Sequence, residues 1–124
     1  MAKILMVDDD LEFLEASKSL LEGKGYEVKT LNNVKDAEIY MQDEEPDLIL
    51  LDIMMEEADD GINFAHKLRR GDFKGPIIML SAVGKVTGFE YGRCDAVLPC
   101  DDFLEKPITP QVLIEKVNKH INIK

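Results

Sequence analysis

The chain has 124 residues, the usual size of one domain, and 45% of them are hydrophobic, which is enough to bury a core. Its 15 basic and 25 acidic residues give a formal net charge of -10, which argues against direct binding to nucleic acid or to an anionic membrane surface. The charge is uneven, because residues 1–60 carry 18 acidic and 5 basic residues whereas residues 61–124 carry 7 and 10.

Short apolar runs alternate with helical patterns in the first half of the chain. The elements predicted there are, in order, a strand at Ile4–Val7, a helix capped by Asp10 and ended by Gly23 and Gly25, a strand at Glu27–Leu31, a helix capped by Asn33, and a strand at Leu48–Leu51. The apolar faces of the two helices are assigned to Leu11, Leu14, Leu20 and Leu21, and to Val34, Ala37 and Met41.

The second half continues the alternation. The elements predicted there are a helix after Gly61 with Ile62, Phe64, Ala65 and Leu68 on its apolar face, a strand at Ile77–Leu80, a short strand at Phe103 and Leu104, and a helix capped by Thr109 that begins at Pro110. Glycines and a proline interrupt the pattern between Val83 and Cys100, which predicts one short or irregular helix there. Strands alternating with helices predict an α/β fold with a mainly parallel sheet, in a single domain over residues 1–124.

The same sequence sets the expected cellular setting. No apolar run approaches the ~18 residues that a membrane span needs, and the first residues do not form a signal peptide. Cys94 and Cys100 are too few for a disulfide framework or a four-ligand zinc site. We therefore expect two reduced thiols in a cytoplasmic protein that contacts no membrane.

Polar residues follow the predicted strands in a consistent way. Asp8-Asp9-Asp10 comes after the first strand, and Asp52, Ser81 and Lys106 follow the third, fourth and fifth strands. In an open parallel sheet the carboxyl ends of the strands lie at one edge, where ligands bind. Clustered carboxylates repel one another, and a hard divalent cation such as Mg²⁺ relieves that repulsion. A carboxylate beside such a cation can attack phosphorus, while a lysine offsets charge on the transferred phosphoryl oxygens.

Each of these residues also has an ordinary structural explanation. An acidic run after a strand is often a solvated turn or a helix cap, and a lone lysine is usually a surface charge. The prediction of a site depends on their joint occurrence, each at a strand end and in one order.

That order resembles the receiver domain of two-component response regulators. The resemblance covers essentially the whole chain and depends on four segments, which are Ile4–Asp10 (ILMVDDD), Asp47–Met55 (DLILLDIMM), Ile78–Ala82 (IMLSA) and Asp102–Pro107 (DFLEKP). The implied fold is a flavodoxin-like (CheY-like) doubly wound domain, in which helices cover both faces of a five-stranded parallel sheet of order 2-1-3-4-5.

The resemblance also implies roles for individual residues. Asp52 would be the phospho-accepting nucleophile, and the Mg²⁺ ligands would be Asp8, Asp9, Asp52 and the backbone carbonyl of Met54. The phosphoryl-contacting and switch residues would be Ser81, with Ala82 as its small neighbour, Lys106 and Phe103, and Pro107 would follow a cis peptide.

The resemblance implies a phosphorelay signalling function. A sensor histidine kinase or a histidine phosphotransfer protein would donate the phosphoryl group. Ser81 and Lys106 would then be drawn toward Asp52, Phe103 would turn inward, and the face formed by the family's fourth helix, fifth strand and fifth helix would change shape for a downstream protein or output domain. The family also allows a homodimer after phosphorylation. The domain would catalyse only its own phosphorylation and dephosphorylation.

The chain departs from the family pattern near the nucleophile. Glu56–Asp60 is an unusually acidic loop, interpreted either as a solvated turn or as a second source of Mg²⁺ ligands through Glu56 or Glu57. Met54 and Val83 occupy the two positions that tune phosphate lifetime in the family. Because neither side chain can orient an attacking water, we predict slow self-dephosphorylation.

Two alternative functions are kept open at this point. One is a Mg²⁺-dependent aspartyl-phosphate phosphatase or phosphotransferase that uses Asp8 or Asp10 as its nucleophile. The other is a receiver-fold interaction module that works without phosphate. Phosphate found on Asp52 would favour the receiver over the phosphatase. The phosphate-independent module is disfavoured by the intact set of Asp8, Asp9, Asp52, Ser81 and Lys106.

Overall fold

The computed structural model describes residues 2–52, 60–71, 73, 75–82, 101–106 and 108–121, and for residues 60–62, 81, 82, 103, 105 and 106 it describes the backbone. The elements along these residues are β1 (Lys3–Val7), α1 (Leu11–Glu22), β2 (Glu27–Leu31), α2 (Val34–Asp43), β3 (Leu48–Asp52), α3 (Asp60–Arg70), β4 (Ile77–Ala82), β5 (Asp102–Lys106) and α4 (Pro110–Ile121). The irregular helix predicted between Val83 and Cys100 falls outside the described residues.

The strands form one five-stranded parallel sheet of order β2-β1-β3-β4-β5. Two core clusters cover its faces. Alternate residues of β1 and β3 divide between them, so that Leu5 and Ile49 pack with α2 and α3, whereas Ile4 and Leu48 pack with α1 and α4. Strands buried on both faces explain why β3 reads as a continuous apolar run. The predicted fold class is confirmed.

Most predicted element boundaries agree with the structure within one or two residues. Asp10 and Asn33 cap α1 and α2, and their side chains accept hydrogen bonds from the backbone N–H of Phe13 and Asp36. After α1, the residue in the left-handed region is Gly25, with φ +97°, whereas Gly23 keeps a helical conformation.

Three details of the sequence prediction were wrong. The sequence pattern places Leu11 on the buried face of α1, but Leu11 is 61% exposed, whereas Leu14 of the same helix is 3% exposed. The third helix begins at Asp60 and not after Gly61. Strands β3 and β4 run on through Asp52 and Ala82, past the predicted ends at Leu51 and Leu80, because strand pairing continues through those residues.

An arginine connects several elements at the amino-terminal edge of the sheet. Arg69 of α3 donates to the carbonyl oxygen of Gly75 at 3.0 Å and pairs with the carboxylate of Asp101. The same carboxylate accepts from the backbone N–H of Ile77 at 2.8 Å. This network holds the start of β4 beside the residue that precedes β5. Among the described residues, no helix is long and apolar enough to cross a membrane.

Candidate functional site

Three carboxylates meet where β1 and β3 end. Val7 pairs with Leu51 in the parallel register, so the residues that follow, Asp8 and Asp52, lie side by side. Carboxylate oxygens of Asp8, Asp9 and Asp52 all lie within 4.8 Å of one another. Asp8 is 0% and Asp52 4% exposed, whereas Asp9 is open to solvent. The structure therefore brings together the three carboxylates predicted from the sequence.

Local hydrogen bonds orient Asp8. Its backbone N–H donates to the carbonyl oxygen of Leu31 at 3.1 Å, and its side-chain Oδ1 accepts from the backbone N–H of Asp10 at 2.9 Å. The hydrogen bond from Asp8 to the carbonyl oxygen of Leu31 could not be predicted from the sequence, because it depends on the register between β1 and β2. The side chain of Asp10 instead caps α1. The three consecutive aspartates thus divide into two members of the cluster and one helix cap.

The cluster has the donor set of a hard divalent cation. Two carboxylates removed from water are costly for a fold unless positive charge or hydrogen bonds compensate them. All three groups offer oxygen, the donor that Mg²⁺ and Ca²⁺ prefer, and the exposed Asp9 leaves the cluster open to solvent on one side. The residues present therefore fit a cation bound by two or three carboxylates and completed by water or phosphate oxygens.

The backbone places the other predicted residues at the same edge of the sheet. Asp52 pairs with Leu80, so Ser81 lies one residue further along β4, and Ala82 pairs with Lys106 at the end of β5. Phe103 lies further back on β5, opposite Met79.

Some predicted residues cannot be placed. Met54, Val83 and Pro107 lie outside the described residues, as do positions 56–59 of the acidic loop.

Comparisons with known proteins agree with this fold and site. A family model described as the response regulator receiver domain matches residues 4–118. The phosphate regulon transcriptional regulatory protein PhoB of Pseudomonas aeruginosa is 37% identical over 120 residues, which cover 92% of this chain and 49% of that protein. The alkaline phosphatase synthesis transcriptional regulatory protein PhoP of Bacillus subtilis is 35% identical over 119 residues, covering 93% and 46%. The chain thus spans about half the length of the curated relatives it matches.

Solved structures give the same result. The receiver domain of the Francisella response regulator 1452 superposes with a TM-score of 0.85 at 29% identity, covering 98% of both chains. A two-component response regulator from Clostridium difficile superposes with a TM-score of 0.85 at 25% identity, covering 99% of this chain and 98% of that one.

The sheet order and the partly buried acidic cluster define a doubly wound α/β domain with three carboxylates at the carboxyl ends of its strands. Within that class, the chain belongs to the response regulator receiver domain family. It is therefore a signalling domain of two-component phosphorelay systems, as the sequence motifs predicted.

Proposed function

We propose that Asp52 accepts a phosphoryl group from the phosphohistidine of a sensor histidine kinase or a histidine phosphotransfer protein. The observation that carries this proposal is the position of Asp52 at the end of β3, with its carboxylate inside the cluster formed with Asp8 and Asp9. A carboxylate oxygen attacks phosphorus, the phosphorus–nitrogen bond breaks, and the imidazole of the donor leaves. In this proposal Asp8 and Asp9 act only as ligands, whereas Asp52 is both a ligand and the residue that reacts.

The cofactor is proposed to be Mg²⁺, held by Asp8, Asp9, Asp52 and the backbone carbonyl of Met54. When bound, it neutralises charge on the phosphoryl oxygens. Burial of Asp8 and its hydrogen bond from the backbone of Asp10 support this role, because they hold one ligand in a fixed orientation. In the acidic loop, we propose that Glu56 and Glu57 form a solvated turn, so that Glu56→Gln and Glu57→Gln leave the Mg²⁺ affinity unchanged.

Lys106 and Ser81 are proposed to contact the phosphoryl group, with Ala82 leaving room beside it. The pairing of Ala82 with Lys106 supports this arrangement, since both strands end at the edge that carries Asp52. Movement of Ser81 toward the phosphoryl group would let Phe103 turn inward, and the face that includes β5 and α4 would change shape for a downstream protein or output domain. A homodimer formed after phosphorylation belongs to the same proposal.

The domain organisation and location are proposed as well. We infer that residues 1–124 form a single receiver domain that acts in the cytoplasm, with Pro107 following a cis peptide. Its reactions are the gain and loss of its own phosphoryl group, and it turns over no separate substrate. Direct contact with nucleic acid is not expected of this segment, because of its acidity.

Mass spectrometry after treatment with acetyl phosphate and Mg²⁺ tests the acceptor. We expect one added phosphoryl group, located on Asp52 and absent from Asp52→Ala. Asp10→Asn is the matched control, because asparagine also caps helices and the variant should be labelled normally. Label on Asp8 or Asp10 would contradict the proposal and favour the phosphatase alternative. Phosphotransfer from the histidine kinases of the source organism would then identify the donor.

Decay of the same label tests the predicted slow dephosphorylation. Apolar side chains at Met54 and Val83 leave the acyl phosphate without a group that orients water. We expect Met54→Asn to shorten the half-life, whereas Met54→Leu should leave it nearly unchanged. Equal half-lives for all three proteins would contradict this explanation.

A further inference from the structure

Asp10 lies between the carboxylate cluster and the first helix and makes hydrogen bonds to both. Its backbone N–H donates to Oδ1 of Asp8 at 2.9 Å. On the helix side, its side-chain Oδ1 accepts from the backbone N–H of Phe13 at 3.2 Å, and its carbonyl oxygen accepts from the backbone N–H of Leu14 at 3.0 Å. The position of this one residue therefore links the start of α1 to the orientation of the Asp8 carboxylate.

The helix that Asp10 caps is anchored in the core. Leu14 and Leu21 of α1 are 3% and 0% exposed, and both belong to the core cluster that contains residues of β1 and β3. The backbone of Asp10 is extended, with φ -91° and ψ 100°, which is the conformation in which the side chain of an N-cap residue reaches the N–H groups of the first turn. The anchored helix and its cap therefore fix the direction in which the N–H of Asp10 points.

The orientation of the Asp8 carboxylate matters more for Mg²⁺ than for Ca²⁺. Asp8 is fully buried, and its own N–H donates to the carbonyl oxygen of Leu31 at 3.1 Å, so the hydrogen bond from Asp10 acts on a side chain whose backbone is already held. Mg²⁺ requires near-ideal octahedral geometry, whereas Ca²⁺ accepts a variable number of oxygen ligands in flexible arrangements. A carboxylate held in one orientation should therefore favour Mg²⁺, and rotation of that carboxylate should reduce the preference.

We propose that Asp10 is a positioning residue of the cation site, and that its side-chain cap on α1 sets the preference of the site for Mg²⁺ over Ca²⁺. Asp10 is not itself a ligand, since its Oδ1 accepts from Phe13 and its N–H acts on the cation only through Asp8. This inference rests on the proposed function, because it takes the cluster to bind Mg²⁺. Loss of a hydrogen bond that orients a metal ligand typically weakens metal affinity by about tenfold or more.

Three substitutions of Asp10 separate the effect of the cap from the effect of the charge. Asparagine, alanine and glycine all remove the negative charge, but only asparagine retains a side-chain acceptor. The chain itself uses an asparagine cap, since Asn33 accepts from the N–H of Asp36 at 2.7 Å. Asp10→Ala should therefore bind Mg²⁺ about tenfold more weakly than Asp10→Asn, and its affinity for Ca²⁺ should fall much less. Asp10→Gly should behave like Asp10→Ala toward both cations, although glycine at an N-cap costs little stability.

Asn33→Ala is the matched control for the loss of a helix cap. It removes the cap of α2, which packs on the sheet face opposite α1, and it leaves the bonds of Asp10 and Asp8 in place. Its stability should fall about as much as that of Asp10→Ala, while its affinities for both cations should remain those of the wild type. A general loosening of the fold would weaken binding in both alanine variants, whereas loss of positioning weakens it only in the variants of Asp10.

Backbone amide chemical shifts, followed by NMR while the unphosphorylated chain is titrated with Mg²⁺ alone or Ca²⁺ alone, give the two dissociation constants and show that each variant is folded. A ratio of Mg²⁺ to Ca²⁺ affinity that falls in Asp10→Ala and Asp10→Gly, but is retained in Asp10→Asn and Asn33→Ala, supports the proposal. If the wild type binds Mg²⁺ and Asp10→Gly keeps the wild-type ratio, the positioning role is overturned while the cation site stands. An equal fall in Asn33→Ala would also overturn it. A wild type that binds no Mg²⁺ would overturn the site and the positioning role together.

Discussion

Replacement of Asp8 by asparagine should stabilise the protein when no divalent cation is bound. Asp8 is fully buried, and its carboxylate lies within 4.8 Å of those of Asp9 and Asp52. Asparagine keeps the shape of the side chain and the Oδ1 acceptor used by the backbone N–H of Asp10. The substitution therefore removes one charge from the cluster while retaining its packing.

The separation of the charges sets the magnitude. Two unit charges at 4.8 Å, the upper limit of the separation between these carboxylate oxygens, repel by about 3.5 kcal/mol at an effective dielectric constant of 20. Solvent at the exposed Asp9 offsets part of this repulsion. We therefore expect Asp8→Asn to raise the free energy of unfolding by about 1–3 kcal/mol without cation, which corresponds to a rise in Tm of about 4 °C for each kcal/mol.

Urea denaturation in the presence of a chelator, and again with saturating Mg²⁺, measures the free energy of unfolding without and with the cation. Wild-type protein should gain about 2.7 kcal/mol at a Mg²⁺ concentration a hundred times its Kd, whereas Asp8→Asn should gain much less. A folded Asp8→Asn protein that is less stable than the wild type in chelator would refute the reasoning, because the carboxylates would then not be in net repulsion. Glu22→Gln, far from the cluster, controls for the loss of one negative charge.

Three further predictions concern stability. Arg69→Ala removes the donor to the carbonyl oxygen of Gly75 and the partner of the Asp101 carboxylate. Urea denaturation should therefore show a free energy of unfolding lower by about 1–3 kcal/mol. A loss below about 0.5 kcal/mol would show that the network is not needed for stability. Gly75→Ala should destabilise the protein and lower its Tm, because the new Cβ would lie 2.7 Å from the ring of Phe73. An unchanged Tm would mean that the ring moves aside at no cost. Burial raises the pKa of the Tyr40 hydroxyl. The stability that this pKa shift contributes is therefore complete below pH ~10, and it is lost as the pH rises through the folded-state pKa. Tyr40→Phe should therefore lose less stability than the wild type in alkaline titrations, and equal losses would contradict that assignment.

The local sequence was sufficient to predict the elements and the family. Buried parallel strands require continuous apolar runs, and these runs ended at the aspartates that now form the cluster. Caps such as Asp10 and Asn33 were predictable because a cap acts on backbone groups only two or three residues away. For these strands and caps the controlling interaction is local in the chain, and the sequence alone determined the result.

Tertiary structure decided what depends on distant residues. Leu11 has the same apolar character as Leu14, yet it is exposed, because burial depends on which residues the rest of the fold places against the helix. Asp8 and Asp52 are 44 positions apart in the sequence, and this separation does not determine how far apart they lie in space. The parallel register of β1 and β3 places them side by side.

Glu45, just after α2, and Arg70, the last residue of α3, show the same limit. In the sequence, Glu45 and Arg70 are unremarkable members of an acidic half and a basic half. They become two sides of one surface only because both helices pack on the same face of the sheet and run in the same direction. The sequence by itself determined the fold, the family and the chemistry of the carboxylates. The tertiary structure decided which of these groups share a site or a surface, because that depends on strand register and helix direction.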